Sequence, residues 1–479
     1  MLWLPIFQIT ANALNPFHKI FKEPCNRTNI PADYKVFTFM IKSNRVPSQN
    51  TAFVWFRNDL RVQDQTSLFK AVNSHYRVAG VYCFDRRLTE PGRYGFPKLG
   101  SYRRKFLIES LESLKNNLQD LGIPLLLLNG SAQNVLPKAI ERLNVNSVFF
   151  QEEWTQEESD EIEILKKAFP EIQWHSTYDQ FLFHPEDINI PVPEVPEVFT
   201  AFRKKVEKKV DVRSSVLPEK KQTDPLHLID LQDITIDIST IKTNEPPDSR
   251  SAFPFKGGED EALSRLEEYF WKTDGLSRYK YTRNGLIGTE YSSKFSSWLA
   301  LGCISPITIY HEVKRYEKER IKNQSTYWLV FELIWRDYFK YVSLKHGNKI
   351  FMKKGIRDEE KTWRQDEKVI QSWIDGKTAD SFINANMIEL KKTGWMSNRG
   401  RQNIASYFVH NLGQDWRIGA AYFEAMLVDY DVHSNYGNWM YVAGVGNDPR
   451  RRVFNTRSQA ERYDTNGEFQ NRWLQEVLL

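Results

Sequence analysis

Cysteine is scarce in this chain. Only Cys25, Cys83 and Cys303 occur in 479 residues, far apart and odd in number. That pattern excludes a disulfide framework and any Cys-based metal spacing, so no metal is expected and a reducing compartment suits the chain. Long apolar runs are also missing. The stretch YWLVFELIW (327–335) is short and holds Glu332, whereas a membrane-spanning helix needs about 18 or more apolar residues. No glycine-rich fingerprint follows any predicted strand, and GKT at 376–378 lacks the glycine five residues earlier and lies in a helical region. A phosphate loop is therefore rejected. The first 50 residues mix Pro, Asn and aromatics with no sustained period, no charged start and no small-residue cleavage site. They are read as an extension outside the fold rather than a signal peptide. Met40 is a second candidate start. The expected location is cytoplasmic, or an organelle if the extension is a targeting segment.

What the chain does have is length, aromatics and a mildly basic balance. At 479 residues two domains are expected. A formal charge of +5 permits a nucleic-acid partner without requiring one. Aromatics make up 14% of the residues, and ten of the fourteen Trp follow residue 250. Over 51–183, strand patterns (TAFVWF, VAGVYCF, IPLLLL, SVFF, IQWHSTY) alternate with helical ones. The clearest helix carries Leu107, Leu111, Leu114, Leu118 and Leu121 at alternating spacings of four and three. This order predicts an α/β domain with a doubly wound, five-stranded parallel sheet. Residues 184–254 are rich in Pro, Lys and Glu and read as a long surface connector, with FRKKVEKK (202–209) as a solvated helix face. From 255 to 479 the period is helical almost throughout, which predicts an all-α domain.

Charge is concentrated where apolar residues should be. Residues 395–441 place Asn398, Arg399, Arg401, Asp429, Asp431, Asn435, Trp416, Trp439 and Tyr441 among apolar residues at helical spacing. One Asp–Arg pair would be a structural ion pair; this density favours a cofactor pocket. In YKYTRNGLIGTEYSSKFS (279–296), Ser292, Ser293, Lys294 and Ser296 stand at the start of an apolar helix, either as plain N-caps or as a phosphate site. In FELIWRDYF (331–339), Glu332 and Arg336 lie four apart and could pair on one face, leaving Trp335 as core. Trp363, Trp416 and Trp439 are each ordinary packing alone; as a set they could form an aromatic electron relay.

Together these motifs resemble the photolyase/cryptochrome superfamily, and most closely its cryptochrome DASH group. The residues that carry the resemblance are WFRNDLR (55–61), YKYTRNG with YSSKFS, LALGCISP (299–306), FELIWRDYF, WMSNRGRQN (395–403), DYDVHSNYGNW (429–439) and GVGNDPR (444–450). The resemblance runs from about residue 51 to the C-terminus. It implies an α/β domain joined by a long connector to a helical domain that holds FAD.

By that resemblance, Tyr279, Ser292, Ser293, Lys294, Phe295 and Ser296 would grip the FAD phosphates and nearby groups. Arg336, Asn398, Arg401, Asp429 and Asp431 would line the rest, and Asn435 would face flavin N5. Trp439, Trp416 and Trp363 would form the photoreduction relay, from the flavin outward. Glu153 would contact a 5,10-methenyltetrahydrofolate antenna. The implied activity is light-driven repair of cyclobutane pyrimidine dimers flipped into the cavity. Glu332 and Trp335 would form the cavity wall, and Arg283 and Arg399 would lie near the DNA backbone. Gln402 and Tyr441 stand where classical bacterial photolyases have Met and a second cavity Trp. That implies a weaker grip on the flipped dimer and a preference for single-stranded or looped DNA. No membrane partner is implied, and a monomer is expected. Two departures stand out. TADSFINAN (378–386) replaces a segment written differently in relatives and is expected to loosen a helix start. Arg450–Arg452 form an RRR run, either a DNA contact or a solvated run. The competing class is a blue-light photoreceptor that acts through a partner or on transcription; a third is a flavin-free DNA-binding protein.

Overall fold

The computed structural model describes residues 51–75, 77–219, 231–241, 248–448 and 453–475. The extension 1–50 and the Arg450–Arg452 run lie outside the described residues. The predicted strands form as β1 (Thr51–Trp55), β2 (Arg77–Phe84), β3 (Leu125–Asn129), β4 (Val145–Gln151) and β5 (Gln173–Thr177). Between them run α1 (Thr66–Ser74), α2 (Ser101–Asp120), α3 (Ala132–Arg142) and α4 (Gln156–Ala168). The strand order is β3-β2-β1-β4-β5, with every pairing parallel. All five residues of β1 are buried, as a central strand covered by helices on both faces requires.

The connector is less superficial than its composition suggests. Ile188 and Val195 are buried, and helix α5 (Phe199–Lys209) buries Phe199, Phe202 and Val206. Its Lys204, Lys205, Lys208 and Lys209 stay exposed, so the basic run is a solvated face. The apolar spacing of three and four that seats this helix was hidden among the lysines.

The rest is helical: α6 (Glu259–Glu267), α7 (Tyr279–Thr282), α8 (Ser296–Ala300), α9 (Pro306–Glu319), α10 (Gln324–His346), α11 (Glu367–Ile374), α12 (Ser381–Thr393), α13 (Asn398–Ser406), α14 (Trp416–Met426), α15 (Val432–Ala443), α16 (Thr456–Tyr463) and α17 (Glu468–Leu474). One apolar core runs from Val54 and Leu111 through Trp298 to Trp335 and Tyr441, so sheet and helices share an interior. A second core holds Trp373, Phe408, Trp416 and Trp439.

Three local expectations need correction. Residues 292–295 are not helical, and α8 begins only at Ser296 with Phe295 as an N-cap that makes no side-chain cap bond. Lys294 adopts φ +65°, a left-handed conformation that breaks any earlier helical turn. The segment 378–386 is tightly tied rather than loose. Asp380 caps α12 by accepting from the Ile383 N–H at 3.0 Å, and Thr378 Oγ1 bonds Asn384 Oδ1 at 2.7 Å. GKT (376–378) occupies the turn between α11 and α12, not a helix.

The RNDLR turn after β1 locks the sheet to the helices. Arg61 Nη1 donates to Gly302 O at 3.0 Å, and the Leu60 N–H to Leu301 O at 3.1 Å. Gly302 has φ +67°, and a Cβ there would lie 2.1 Å from Asn58 O. Only glycine permits both the conformation and the approach.

Candidate active site

Helix α10 carries charge along one face of an otherwise apolar cylinder. Glu332, Arg336 and Lys340 recur every fourth residue, so they stack on one side, and all three are buried. Buried charges need partners, and each has found one outside the helix. Glu332 lies 2.5 Å from Arg283 Nη2. Arg336 donates to the backbone oxygens of Gln180 and, at 3.0 Å, Leu299. Lys340 Nζ pairs with Asp431 at 2.9 Å. The simple Glu332–Arg336 pair is therefore absent. Lys340 is a participant that sequence reading passed over, although its spacing from Arg336 marks it.

Facing this stripe are α13, α15 and the loop before α8. Together they line a single cavity. Its lining includes Tyr279, Ser293, Phe295, Ser296, Glu332 and Arg336, and also Arg401, Asp429, Asp431 and Asn435. Arg401 Nη2 pairs with Asp429 Oδ1 at 2.9 Å. Burial pushes the Asp429 carboxyl up, but the Arg401 guanidinium wins and holds it below the usual range. Asp431 is largely but not fully buried, with its side chain 12% exposed. Desolvation pushes its carboxyl up, but Lys340 leads the groups that hold it far below the usual range, and Asp431 Oδ1 caps α15 by accepting from the Ser434 N–H at 2.7 Å.

Asn435 Nδ2 donates to Ala420 O at 3.0 Å, which leaves Oδ1 buried with no protein partner. Ser434, on the cavity wall, and Ser292, which is outside its lining, likewise have buried hydroxyls without partners, whereas the Ser296 hydroxyl faces the Asp429 carboxylate. Orphaned buried acceptors and hydroxyls are costly unless a ligand completes them. A polar, ring-bearing ligand with a polyol and phosphates fits this set, as FAD is.

Several expected site residues are placed differently. Lys294 does not line the cavity; its left-handed backbone turns the ammonium over the Tyr291 ring, 3.1 Å from the centroid, and 5.0 Å from that of Trp395. Burial drives its pKa well down, with the Glu389 carboxylate opposing. Asn398 is buried at the start of α13. Arg283 and Arg399 do not present free guanidinium groups to solvent. Arg283 is committed to Glu332, and Arg399 contacts Gln402 Oε1 at 3.0 Å and Asn284 Oδ1 at 3.2 Å. Trp335 is fully buried, with Phe199 of the connector stacked on it at 3.5 Å and Tyr441 edge-on at 6.3 Å. One face of the expected wall is thus covered by Phe199, which the lysine-rich context concealed.

Of the three tryptophans expected to form a relay, Trp439 and Trp416 are fully buried and Trp363 partly so. Trp439 is one turn beyond Asn435 on α15 and fully buried; Phe423 and Phe408 pack edge-on to it at 5.1 and 6.0 Å. Trp416 opens the facing helix α14, is also fully buried, and donates Nε1–H to Lys353 O at 3.3 Å. Trp363 is partly buried, next to Arg364, whose N–H donates to Gly413 O at 3.0 Å. That bridge brings 363 alongside the start of α14.

A second, larger groove opens to solvent between sheet and helices. It is lined by Asn58, Glu153, Gln180, Lys340 and His433, among others. Glu153 Oε1 accepts from Gln151 Nε2 at 2.9 Å and Asn58 Nδ2 at 3.3 Å. Ala300, Arg336, Tyr430 and Asp431 line both the groove and the cavity.

With this geometry in place, comparison with known proteins is decisive. Residues 328–478 match the FAD binding domain of DNA photolyase, and residues 52–223 match the DNA photolyase domain. Cryptochrome DASH of Synechocystis is 43% identical over 443 residues, covering 89% of this chain and 88% of the relative. This chain belongs to the cryptochrome DASH family. Cryptochrome DASH of Xenopus laevis is 45% identical over 430 residues, covering 88% and 82%. The Arabidopsis thaliana protein named cryptochrome DASH, chloroplastic/mitochondrial, is 44% identical, covering 90% and 76%. Among solved structures, the Synechocystis cryptochrome superposes with a TM-score of 0.83 at 42% identity, covering 89% and 88%. A class III photolyase from Agrobacterium tumefaciens gives 0.76 at 27%, covering 91% and 88%. The family thus accounts for both the fold and a flavin-binding helical domain. Among the described residues, no helix is long and apolar enough to cross a membrane.

Proposed function

We propose that this protein repairs cyclobutane pyrimidine dimers, preferentially in single-stranded or locally opened DNA, by light-driven electron transfer. One observation carries the reading: Glu332 and Asn435 line a single cavity, one suited to the dimer and the other to the cofactor. FAD, when bound, supplies the light-excited one-electron donor. Ser292, Ser293, Ser296, Phe295 and Tyr279 hold its phosphates and nearby groups. Arg336, Asn398, the Arg401–Asp429 pair and Asp431 hold the remainder. Asn435, whose Oδ1 has no protein partner, would accept a hydrogen bond from a protonated flavin ring nitrogen without adding charge.

Glu332 holds a proton more tightly than an ordinary carboxyl, because burial raises its pKa to about 7 against the pull of Arg283. A protonated Glu332 donates a hydrogen bond to a dimer carbonyl, which supports a role in binding the flipped base. Trp335 and Tyr441 form the aromatic backing of that site, with Gln402 beside Arg399. Trp439, Trp416 and Trp363 carry electrons inward to restore the reduced cofactor. In the solvent-facing groove, Glu153 contacts a methenyltetrahydrofolate antenna.

Flipping a base from a duplex costs a few kcal/mol, and least from single strands. Arg283 and Arg399 are already committed inside the protein, so they contribute little free charge for gripping duplex phosphates. That supports the single-strand preference. The reading places the protein in the cytoplasm or, as the Arabidopsis relative's name suggests, in an organelle. The test is a flavin spectrum of purified protein, then blue-light repair of one dimer in single-stranded and duplex oligonucleotides. Flavin bands, dimer loss and faster repair of the single strand are expected. Equal rates on both substrates refute the preference. Flavin bands with no dimer loss refute repair and favour a photoreceptor.

A further inference from the structure

One redox-active side chain touches the relay without belonging to it. Tyr436 lies on α15 three residues before Trp439, and its ring packs edge-on against Trp416 with centroids 6.2 Å apart at 78°. Phe351 flanks it at 4.7 Å. Unlike Trp416, Tyr436 is only partly buried, and it lines the groove open to solvent. Phenol oxidation by an indole cation radical becomes favourable when the phenolic proton leaves with the electron, so a base must stand beside the hydroxyl. Glu424, on α14, lines the same wall of the groove and faces the hydroxyls of both Tyr430 and Tyr436. Its backbone is fixed by Arg103, which donates to Glu424 O at 3.1 Å and stacks its guanidinium over Tyr430 at 4.5 Å. Arg417 lies on the same wall but is engaged with Asp415 at 2.7 Å; the cations facing Glu424 are Arg103 and Lys98, and burial still raises its carboxyl pKa against them.

We propose that Tyr436 is a side terminus of the relay, giving an electron to oxidised Trp416 while its phenolic proton passes to Glu424. The Trp416 cation radical gains one electron and returns to neutral indole. Tyr436 loses one electron and its O–H bond, and Glu424 gains the O–H bond. The original oxidant is a light-excited oxidised isoalloxazine in the cavity, so the inference rests on the relay proposed above. The neutral tyrosyl radical ends up at a solvent-facing groove. There it is slower to recombine than a buried indole cation, and a reductant from solution can reach it.

The experiment uses the full chain loaded with FAD, flashed with blue light and frozen for electron paramagnetic resonance. It is run with ordinary and with ring-deuterated tyrosine. A tyrosyl spectrum that narrows on deuteration, is lost in Tyr436→Phe and forms more slowly in Glu424→Gln is the expected result. A spectrum of tryptophanyl radicals alone, in the unmodified chain, overturns this inference and leaves the relay standing. A tyrosyl spectrum that persists in Tyr436→Phe overturns it as well. Bound flavin that yields no protein radical at all overturns both. Deuterated tyrosine needs no substitution, so the inference stays testable even if a variant fails to fold.

Discussion

Glu332 and Arg283 form an ion pair 2.5 Å apart in which both side chains are almost fully removed from water. Desolvation of the carboxylate is incompletely offset by the guanidinium, and the carboxyl pKa rises to about 7. The proton is therefore half lost near neutral pH. The folded state binds this proton more tightly than the unfolded chain. Stability from this group therefore declines as pH rises from the ordinary carboxyl range towards 7, and no further above it. Dimer binding should follow the same titration, constant below about pH 6 and falling through 7. Glu332→Gln should flatten the profile, read as dimer affinity against pH; an unchanged slope would show that another group titrates.

The Lys340–Asp431 pair behaves oppositely. Asp431 stays ionised far below its usual range, chiefly through Lys340, so its contribution is intact from neutral pH down past pH 5. Asp431→Asn leaves a buried ammonium unpaired, at a cost of about 3–5 kcal/mol. A lower thermal midpoint and loss of bound flavin on gel filtration are expected. Full flavin occupancy in that variant would remove Asp431 from the cofactor site.

Gly419 sets how closely α14 approaches the innermost tryptophan. A Cβ there would meet the Trp439 ring at 2.2 Å. Overpacking of this kind costs about 1–3 kcal/mol. Gly419→Ala should destabilise by that amount in urea unfolding and should also slow flavin photoreduction, because Trp439 must move. A stable variant with normal photoreduction would mean the ring is not in the relay.

Trp363→Phe removes an oxidisable ring from the outer end of the relay without changing the cavity. Flavin content should be unchanged and photoreduction slower in steady illumination. Equal rates would place the outer donor elsewhere.

Much of this is legible in the sequence alone. Strand runs and the leucine spacing of 101–121 predict the sheet and α2, because periodicity reports which face is buried. Asp429, Arg401 and Asn435 stand out as polar groups in an apolar pattern, and they do converge on one cavity. What stayed hidden depends on backbone conformation and distant partners. Nothing in YSSKFS shows that Lys294 takes φ +65° and turns its ammonium to Tyr291. Nothing in FELIWRDYF shows that Glu332 chooses Arg283 over Arg336 four residues away. Phe199 was masked because a lysine-rich helix reads as solvated even when its third face stacks on Trp335.

Arg336 and Asp431 separate the flavin cavity from the interlobe groove by a single layer of side chains. A guest on one side that displaces either residue alters the walls met by a guest on the other. Thermodynamic linkage makes that influence mutual: whatever factor a ligand of the groove imposes on cofactor affinity, the cofactor imposes on that ligand. Titrating one with the other absent and then present measures that factor from both directions.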